Sequence, residues 1–312
     1  MSKVIGASAA IDAIRRRSAF RVHAETPALR LLGQEDKYAA RIQWRERLGK
    51  PSVDTERQTL DQVRNEISRR AKSEMESASE EFQRRNKIWS YFPDEGPFRR
   101  ELYPKHMEFI GYTLTDDEIM CLAANRVGKS TLGAYCITCW ATGRYPHWWH
   151  GRVFSNPVTS WICNKTAKDT RDINEQELLG PTGNELERGT GMIPAHLIQR
   201  VTPKPGTPHA FEFINVEHVS GGTSYIVSKS YDQGREAFQG RGLAAIWNDE
   251  EVTAEIADEE RLRVMTNAGL ILYTYTPING LTEMTMNFME AAGLSIEALR
   301  HSTEGVVELL DA

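Results

Sequence analysis

Residues Ile119–Ala124, IMCLAA, form a short apolar run that leads straight into Asn125-Arg126-Val127-Gly128-Lys129-Ser130-Thr131. A second apolar stretch without proline, LGAYCITCWATG, follows and ends at Gly143. A short apolar run bounded by polar residues suits a buried strand, and the longer stretch suits a helix that begins at the Gly-Lys-Ser. A strand that turns through such a loop into a helix points backbone N–H groups and the positive helix end at an anion. Lys129 is then expected to reach the β- and γ-phosphates of ATP, and Ser130 to hold Mg²⁺. The loop residues Asn125, Arg126, Val127, Gly128 and Thr131 are candidate nucleotide contacts. The glycine that usually opens such a loop is replaced by Ala123, so the chain must turn there without positive φ. Gly-Lys-Ser alone is a weak signal, and an ordinary helix start is the competing reading.

Two further strands sharpen it. LAAIWNDEE, Leu243–Glu251, is an apolar run ending in carboxylates. In an open α/β sheet, acids at the carboxyl end of a strand face the ligand crevice. Asp249 is the candidate Mg²⁺ ligand, directly or through water, and Glu250 the candidate base for the attacking water. Acids in this place also suit the start of a following helix. GLILYTYTP, Gly269–Pro277, is another buried run with hydroxyls at its end. Thr274 or Thr276 could touch the γ-phosphate or the attacking water, although threonine is also an ordinary strand former.

The rest of the chain fits an α/β protein. Strands are expected at 158–164, 210–217 and 223–230, and helices at 129–143 and 166–180, the latter capped by Thr166 and closed by Gly180. Strands alternating with helices, with apolar runs rather than two-faced patterns, predict a largely parallel sheet flanked by helices. Residues 54–89 lack proline and glycine and are rich in Glu, Arg, Gln and Ser, as in a mostly exposed helix. The expected division is a helical N-terminal extension over 1–88, a core domain over 89–290 and a short helical tail over 291–312. Of 38 Lys and Arg and 43 Asp and Glu, residues 1–90 hold 19 and 13, so the extension is basic and the rest acidic. That split suits a polyanionic or acidic partner for the extension, or a solvated helix surface. The apolar runs are too short to span a membrane. Four cysteines in 312 residues do not suggest a disulfide scaffold and fit a reducing cytosol.

Other motifs carry less. Arg126 inside the loop, and Arg235, Arg241 and Arg263, are candidates for the arginine that stabilises charge in phosphoryl transfer, from the same subunit or a neighbour. Cys136 and Cys139 lack a second ligand pair at metal spacing and suit a buried helix face. Trp148 and Trp149 suit a packed loop better than base stacking. His106, His147, His150 and His218 show no ligand spacing.

Seven stretches occur in a telling order: FPDEGPFRRELYPKH, AANRVGKST, TGRYPHWWHG, GTGMIPAHLI, HVSGGTSYIVSKSYDQGREAFQG, WNDEE and TYTPINGLTE. Together they resemble the large terminase subunit of tailed bacteriophages, from about Ser90 to Glu283. The resemblance implies a P-loop NTPase of the additional-strand, catalytic-glutamate type. It implies an ATPase that drives double-stranded DNA into a procapsid in the host cytoplasm. The partners would be the portal protein, the small terminase subunit and further copies in a ring. Carried over, Lys129 and Ser130 bind phosphate and Mg²⁺, Asp249 is the metal-site acid, Glu250 the catalytic glutamate, and Thr274 opens the coupling motif. Tyr103 falls in the adenine-contacting region. The family usually carries a nuclease domain after the coupling motif. About thirty residues follow Gly280 here, so the expectation is ATP hydrolysis without DNA cleavage. A helicase-like NTPase, or an inactive partner acting through its basic helices, are the alternatives.

Overall fold

The computed structural model describes residues 54–277, 282–291 and 293. The expectations for residues 1–53 and for most of the 291–312 tail lie outside the described residues. Contacts divide the chain into two units, Met1–Phe82 and Gln83–Ala312. Of the first unit the structure describes most of one long helix, α1 (Asp54–Arg85), as the unbroken run of good helix formers requires. Glu66 and Arg69 form a two-pronged pair on its surface, at 2.8 Å for each bond.

The second unit is built on a seven-stranded sheet. Its strands are β1 (Glu118–Leu122), β2 (Thr159–Asn164), β3 (Ile198–Pro203), β4 (Phe211–Glu217), β5 (Thr223–Ser230), β6 (Ala245–Asp249) and β7 (Leu270–Tyr275). They lie side by side in the order β1-β7-β6-β2-β5-β4-β3. The five from β1 to β5 in that order are parallel, and β4 and β3 close one edge antiparallel. The sheet is thus mostly parallel, as the apolar runs require. β6 and β7 are buried at every position, which is why their sequences do not alternate. β3 is the strand that the sequence pattern hides. As an edge strand it is mostly polar and half-exposed, carrying Gln199, Arg200 and Pro203.

β7 lies between the loop-bearing β1 and the acid-bearing β6, and this is the additional strand of the fold class. Its register sets Thr274 beside Cys121 on one side and Asp249 on the other.

Helices flank the sheet. α2 (Pro104–Tyr112) begins with proline at its first turn. α3 (Lys129–Thr142) starts at Gly128 and stops at Gly143, both with positive φ. Every residue of α3 from Leu132 to Thr142 is buried. A helix that is apolar all round must be covered on both sides. The sheet covers one side, and Phe92, Trp148 and Trp149 pack around Tyr135 and Trp140 on the other. Cys136 and Cys139 are fully buried in this core, where burial pushes both thiols up in pKa. Trp149 donates its indole N–H to the carbonyls of Gly151 and Arg152 at 3.0 and 3.1 Å, so the tryptophan pair is packed structure.

The helical segment 167–179 is capped by Thr166, whose hydroxyl accepts from the Asp169 N–H at 3.1 Å, and a π-wound turn interrupts it at Thr170–Glu175. On the face of the sheet opposite α3, α4 (Ala254–Met265) packs Ile256, Ala257 and Val264 against Ile246, Ile271 and Tyr273. α5 is Glu283–Ala291. No helix among the described residues is long and apolar enough to cross a membrane.

Candidate nucleotide-binding site

At the carboxyl end of β1 the chain leaves the sheet and wraps over the first turn of α3. Positive φ occurs at Arg126 (67°) and Gly128 (85°), while Ala123 has none. The loop therefore turns through its later residues, and the alanine in its first position is accommodated without strain. At Gly128 a Cβ would also stand 3.2 Å from His106 Nε2, so ring and loop back each other. Burial lowers the pKa of His106, opposed by its bonds to the backbone of Gly128 and Val127.

Lys129 folds beneath the loop. Its ammonium donates to the carbonyls of Ala123 and Ala124 at 2.9 and 2.6 Å and to Thr276 Oγ1 at 2.9 Å. Thr276 in turn donates to Ala123 O and Asn125 Oδ1, which ties the end of β7 to the loop. Desolvation lowers the pKa of Lys129, and the thiol of Cys121 and the carboxyls of Asp249 and Glu250 oppose that shift.

Ser130 Oγ stands 2.9 and 3.1 Å from the two carboxyl oxygens of Asp249. Asp249 is 4% exposed, and burial pushes its pKa up to about 6 against bonds from Thr274 and Ser130 that favour the charged form. Glu250 follows at the rim, with Oε2 3.3 Å from Lys165 Nζ. Its φ of 116° is a strained backbone state for a residue with a Cβ, worth roughly 1–3 kcal/mol. Cavities of about 430 and 420 Å³ lie elsewhere, and a smaller one of about 360 Å³ opens here. The smaller holds the expected chemistry: Lys129, Ser130, Asp249, Glu250 and Thr276 all line it.

Asn125, Arg126, Gly128, Thr131 and Thr274 line the same cavity, and Arg126 is exposed at its rim. Thr274 lies at its floor, 1% exposed, donating to Asp249 rather than reaching outward. Two expected contacts lie off the cavity. Val127 is exposed beside it. Tyr103 packs against Phe92 and His106, one ring removed from the loop. Arg235, Arg241 and Arg263 do not line it either. Arg235 and Arg263 both pair with the buried Glu259, at 3.3 and 3.0 Å. The structure also adds residues that the sequence reading missed. Ile173 and Glu177, from the 167–179 segment, form a wall of the cavity, and the Glu177 carboxyl accepts from Thr131 at 3.3 Å. Lys165 likewise carried no motif and meets Glu250 only through the fold, while His106, at the end of the stretch that resembles the adenine-contacting region, lies against Gly128.

The family model described as the N-terminal part of the terminase large subunit, T4likevirus type, matches residues 120–304. The large terminase subunit of Salmonella phage P22 is 29% identical over 205 residues. That match covers 60% of this chain and 41% of the P22 protein, so the chain spans about two fifths of this relative. Among solved structures, the large terminase of a thermophilic bacteriophage aligns at 15% identity and a TM-score of 0.40, over 58% of this chain and 39% of that one. The large terminase ATPase domain of Thermus phage P74-26 aligns at 16% identity and a TM-score of 0.37, over 59% and 73%. The first of these two terminases, in complex with ADP, gives 14%, 0.39, 64% and 49%. With a family match over more than half its length, bearing both the phosphate loop and the strand-end acids, this chain belongs to the terminase large subunit family.

Proposed function

We propose that this chain is the ATP-hydrolysing part of a viral DNA-packaging motor, which uses Mg²⁺ and ATP to move double-stranded DNA into a procapsid. The observation that carries this reading is the 2.9 Å approach of Ser130 to Asp249, residues 119 positions apart, within a cavity shared with Lys129 and Glu250.

In this reading the loop amides and Lys129 hold the triphosphate, and Arg126 at the rim stabilises charge that spreads over the γ-phosphoryl group. Glu250 orients the attacking water and takes its proton. Ser130 and Asp249 offer a hydroxyl and a carboxylate, hard oxygen donors that suit Mg²⁺. Among the described residues no group of three or more His, Cys, Asp and Glu forms a closed metal cage. Mg²⁺ in such sites is held by one or two protein oxygens together with substrate phosphates. When bound, Mg²⁺ would supply neutralisation of phosphate charge. Movement passes from the site along β7, since Thr276 grips the loop and Thr274 grips Asp249. The partners in this reading are duplex DNA, the portal of a procapsid, a small terminase subunit and further copies of this chain in a ring. The place of action is the host cytoplasm at the portal.

The test is Mg²⁺-dependent release of phosphate from ATP, with and without duplex DNA, for the chain and for Lys129→Ala and Glu250→Ala. Hydrolysis that drops by about 10²–10⁴ in each variant supports the reading. Equal rates in all three proteins would sink it.

A further inference from the structure

Glu250 keeps its φ of 116° because its backbone is gripped from two sides. Its N–H donates to the Thr274 carbonyl of β7 at 3.2 Å. Its own carbonyl accepts from the Tyr231 hydroxyl at 3.0 Å. That hydroxyl also lies 3.2 Å from Asn248 Oδ1, so one hydrogen is shared between two acceptors. Asn248 in turn donates from Nδ2 to Glu260 Oε2 at 2.7 Å. Asn248 and Glu260 are completely buried.

A polar chain therefore runs from α4, through the end of β6, to the peptide of Glu250. It crosses a core made of Phe238, Ile246 and Tyr273. Polar groups in such a place cost stability unless they are bonded. Glu260 Oε1 has no hydrogen-bond partner among the described residues, while the bonds through Glu260 Oε2, Asn248 and Tyr231 hold one geometry. Tyr231 is itself held in place: its ring packs on Phe238 with centroids 6.3 Å apart. Relaxing the strained φ means rotation about the Glu250 N–Cα bond, which, with the N–H held on Thr274, swings the side chain and the Glu250 carbonyl together and carries the carboxylate away from the cavity. The Tyr231 hydroxyl is the bond that opposes this rotation.

We propose that Tyr231, backed by Asn248 and Glu260, is the positioning residue that fixes the Glu250 backbone and so aims the Glu250 carboxylate into the cavity beside the loop. The inference rests on the proposed role of Glu250 in hydrolysis, and it adds a residue that touches neither nucleotide nor metal.

The experiment compares the full chain with Tyr231→Phe, with Glu250→Gln and with the double variant. The readouts are kcat and KM for Mg²⁺-ATP, affinity for a fluorescent ADP analogue, and thermal unfolding. Loss of one hydrogen bond that acts on the transition state should lower kcat by about tenfold. KM and ADP affinity should stay within about twofold, since the loop is untouched. In the Glu250→Gln background, Tyr231→Phe should add no further loss, because it acts through the carboxylate that is already gone. Glu260→Gln, which keeps an acceptor for Asn248, should retain most of kcat. If the phenylalanine variant melts too early to assay, Tyr231→Met fills the same slot without a hydroxyl and carries the same comparison. Unchanged kcat in Tyr231→Phe, with an active parent, overturns this inference alone. So does a loss of ADP affinity in step with kcat, or an additive loss in the double variant. A parent without Lys129-dependent hydrolysis overturns the proposed function, and this inference with it.

Discussion

Thr274 Oγ1 donates to Asp249 Oδ1 at 2.7 Å while accepting from the Trp247 indole N–H at 2.7 Å. The residue that opens the last strand's polar end therefore holds the strand-end acid from behind, as Ser130 does from in front. Replacing it with valine keeps the volume and removes both bonds. A buried indole N–H is then left without an acceptor, at a cost of about 1–3 kcal/mol. Thr274→Val is expected to lower the melting temperature by several degrees and to weaken Mg²⁺-dependent ADP binding about tenfold. Differential scanning calorimetry and a magnesium titration check the two effects.

Gly133 sets how closely α3 approaches the sheet. A Cβ there would stand 2.2 Å from Trp247 Cε2. The same indole bonds Thr274, so the clash reaches the acid. Gly133→Ala is expected to destabilise the fold by about 1–3 kcal/mol through overpacking, despite alanine's better helix propensity. It should also reduce hydrolysis, although residue 133 does not line the cavity. A denaturant melt beside an activity assay reads both.

Asp249 and Glu260 have pKa values pushed by burial to about 6 and about 8, from ordinary values of 3.8 and 4.5. Each binds its proton more tightly in the folded chain than in the unfolded one. Their contribution to stability is therefore full below about pH 4 and is lost as pH rises, through about 6 for Asp249 and about 8 for Glu260. Without metal, unfolding temperature should fall from pH 5 to pH 9. Glu260→Gln should flatten the upper part of that decline. Magnesium affinity should run the other way and weaken below about pH 6, where Asp249 takes up its proton. Melts over pH 5–9 with and without Mg²⁺-ADP provide the check.

Lys165, at the end of β2, reaches the carboxylate of Glu250 at 3.3 Å. Both groups are partly exposed, so the pair adds little stability. Its effect is expected on orientation. Lys165→Met should leave unfolding and ADP affinity unchanged and lower kcat by about threefold to tenfold. Steady-state kinetics at two salt concentrations separate this from surface screening.

The candidate site was legible wherever its signal is local. Gly128, Lys129 and Ser130 announce themselves because a phosphate loop needs a tight turn and a helix start within a few residues. Asp249 and Glu250 do so because they end an apolar strand. Lys165, Glu177 and Tyr231 gave no such signal. Each meets residues from another element, and no spacing along the chain encodes that. Tyr103 shows the reverse case: its motif placed it near the nucleotide, while its ring packs one layer back, on His106.

By itself the sequence determined a mostly parallel α/β sheet, the loop before α3 and two acids at a strand end, because burial on both faces and glycine's conformational freedom are written in short stretches of chain. Only the tertiary structure decided that β7 lies between β1 and β6, that Ser130 meets Asp249, and that Tyr231 holds the Glu250 peptide. Those contacts depend on strand order and register, which arise from packing many residues at once rather than from any local pattern.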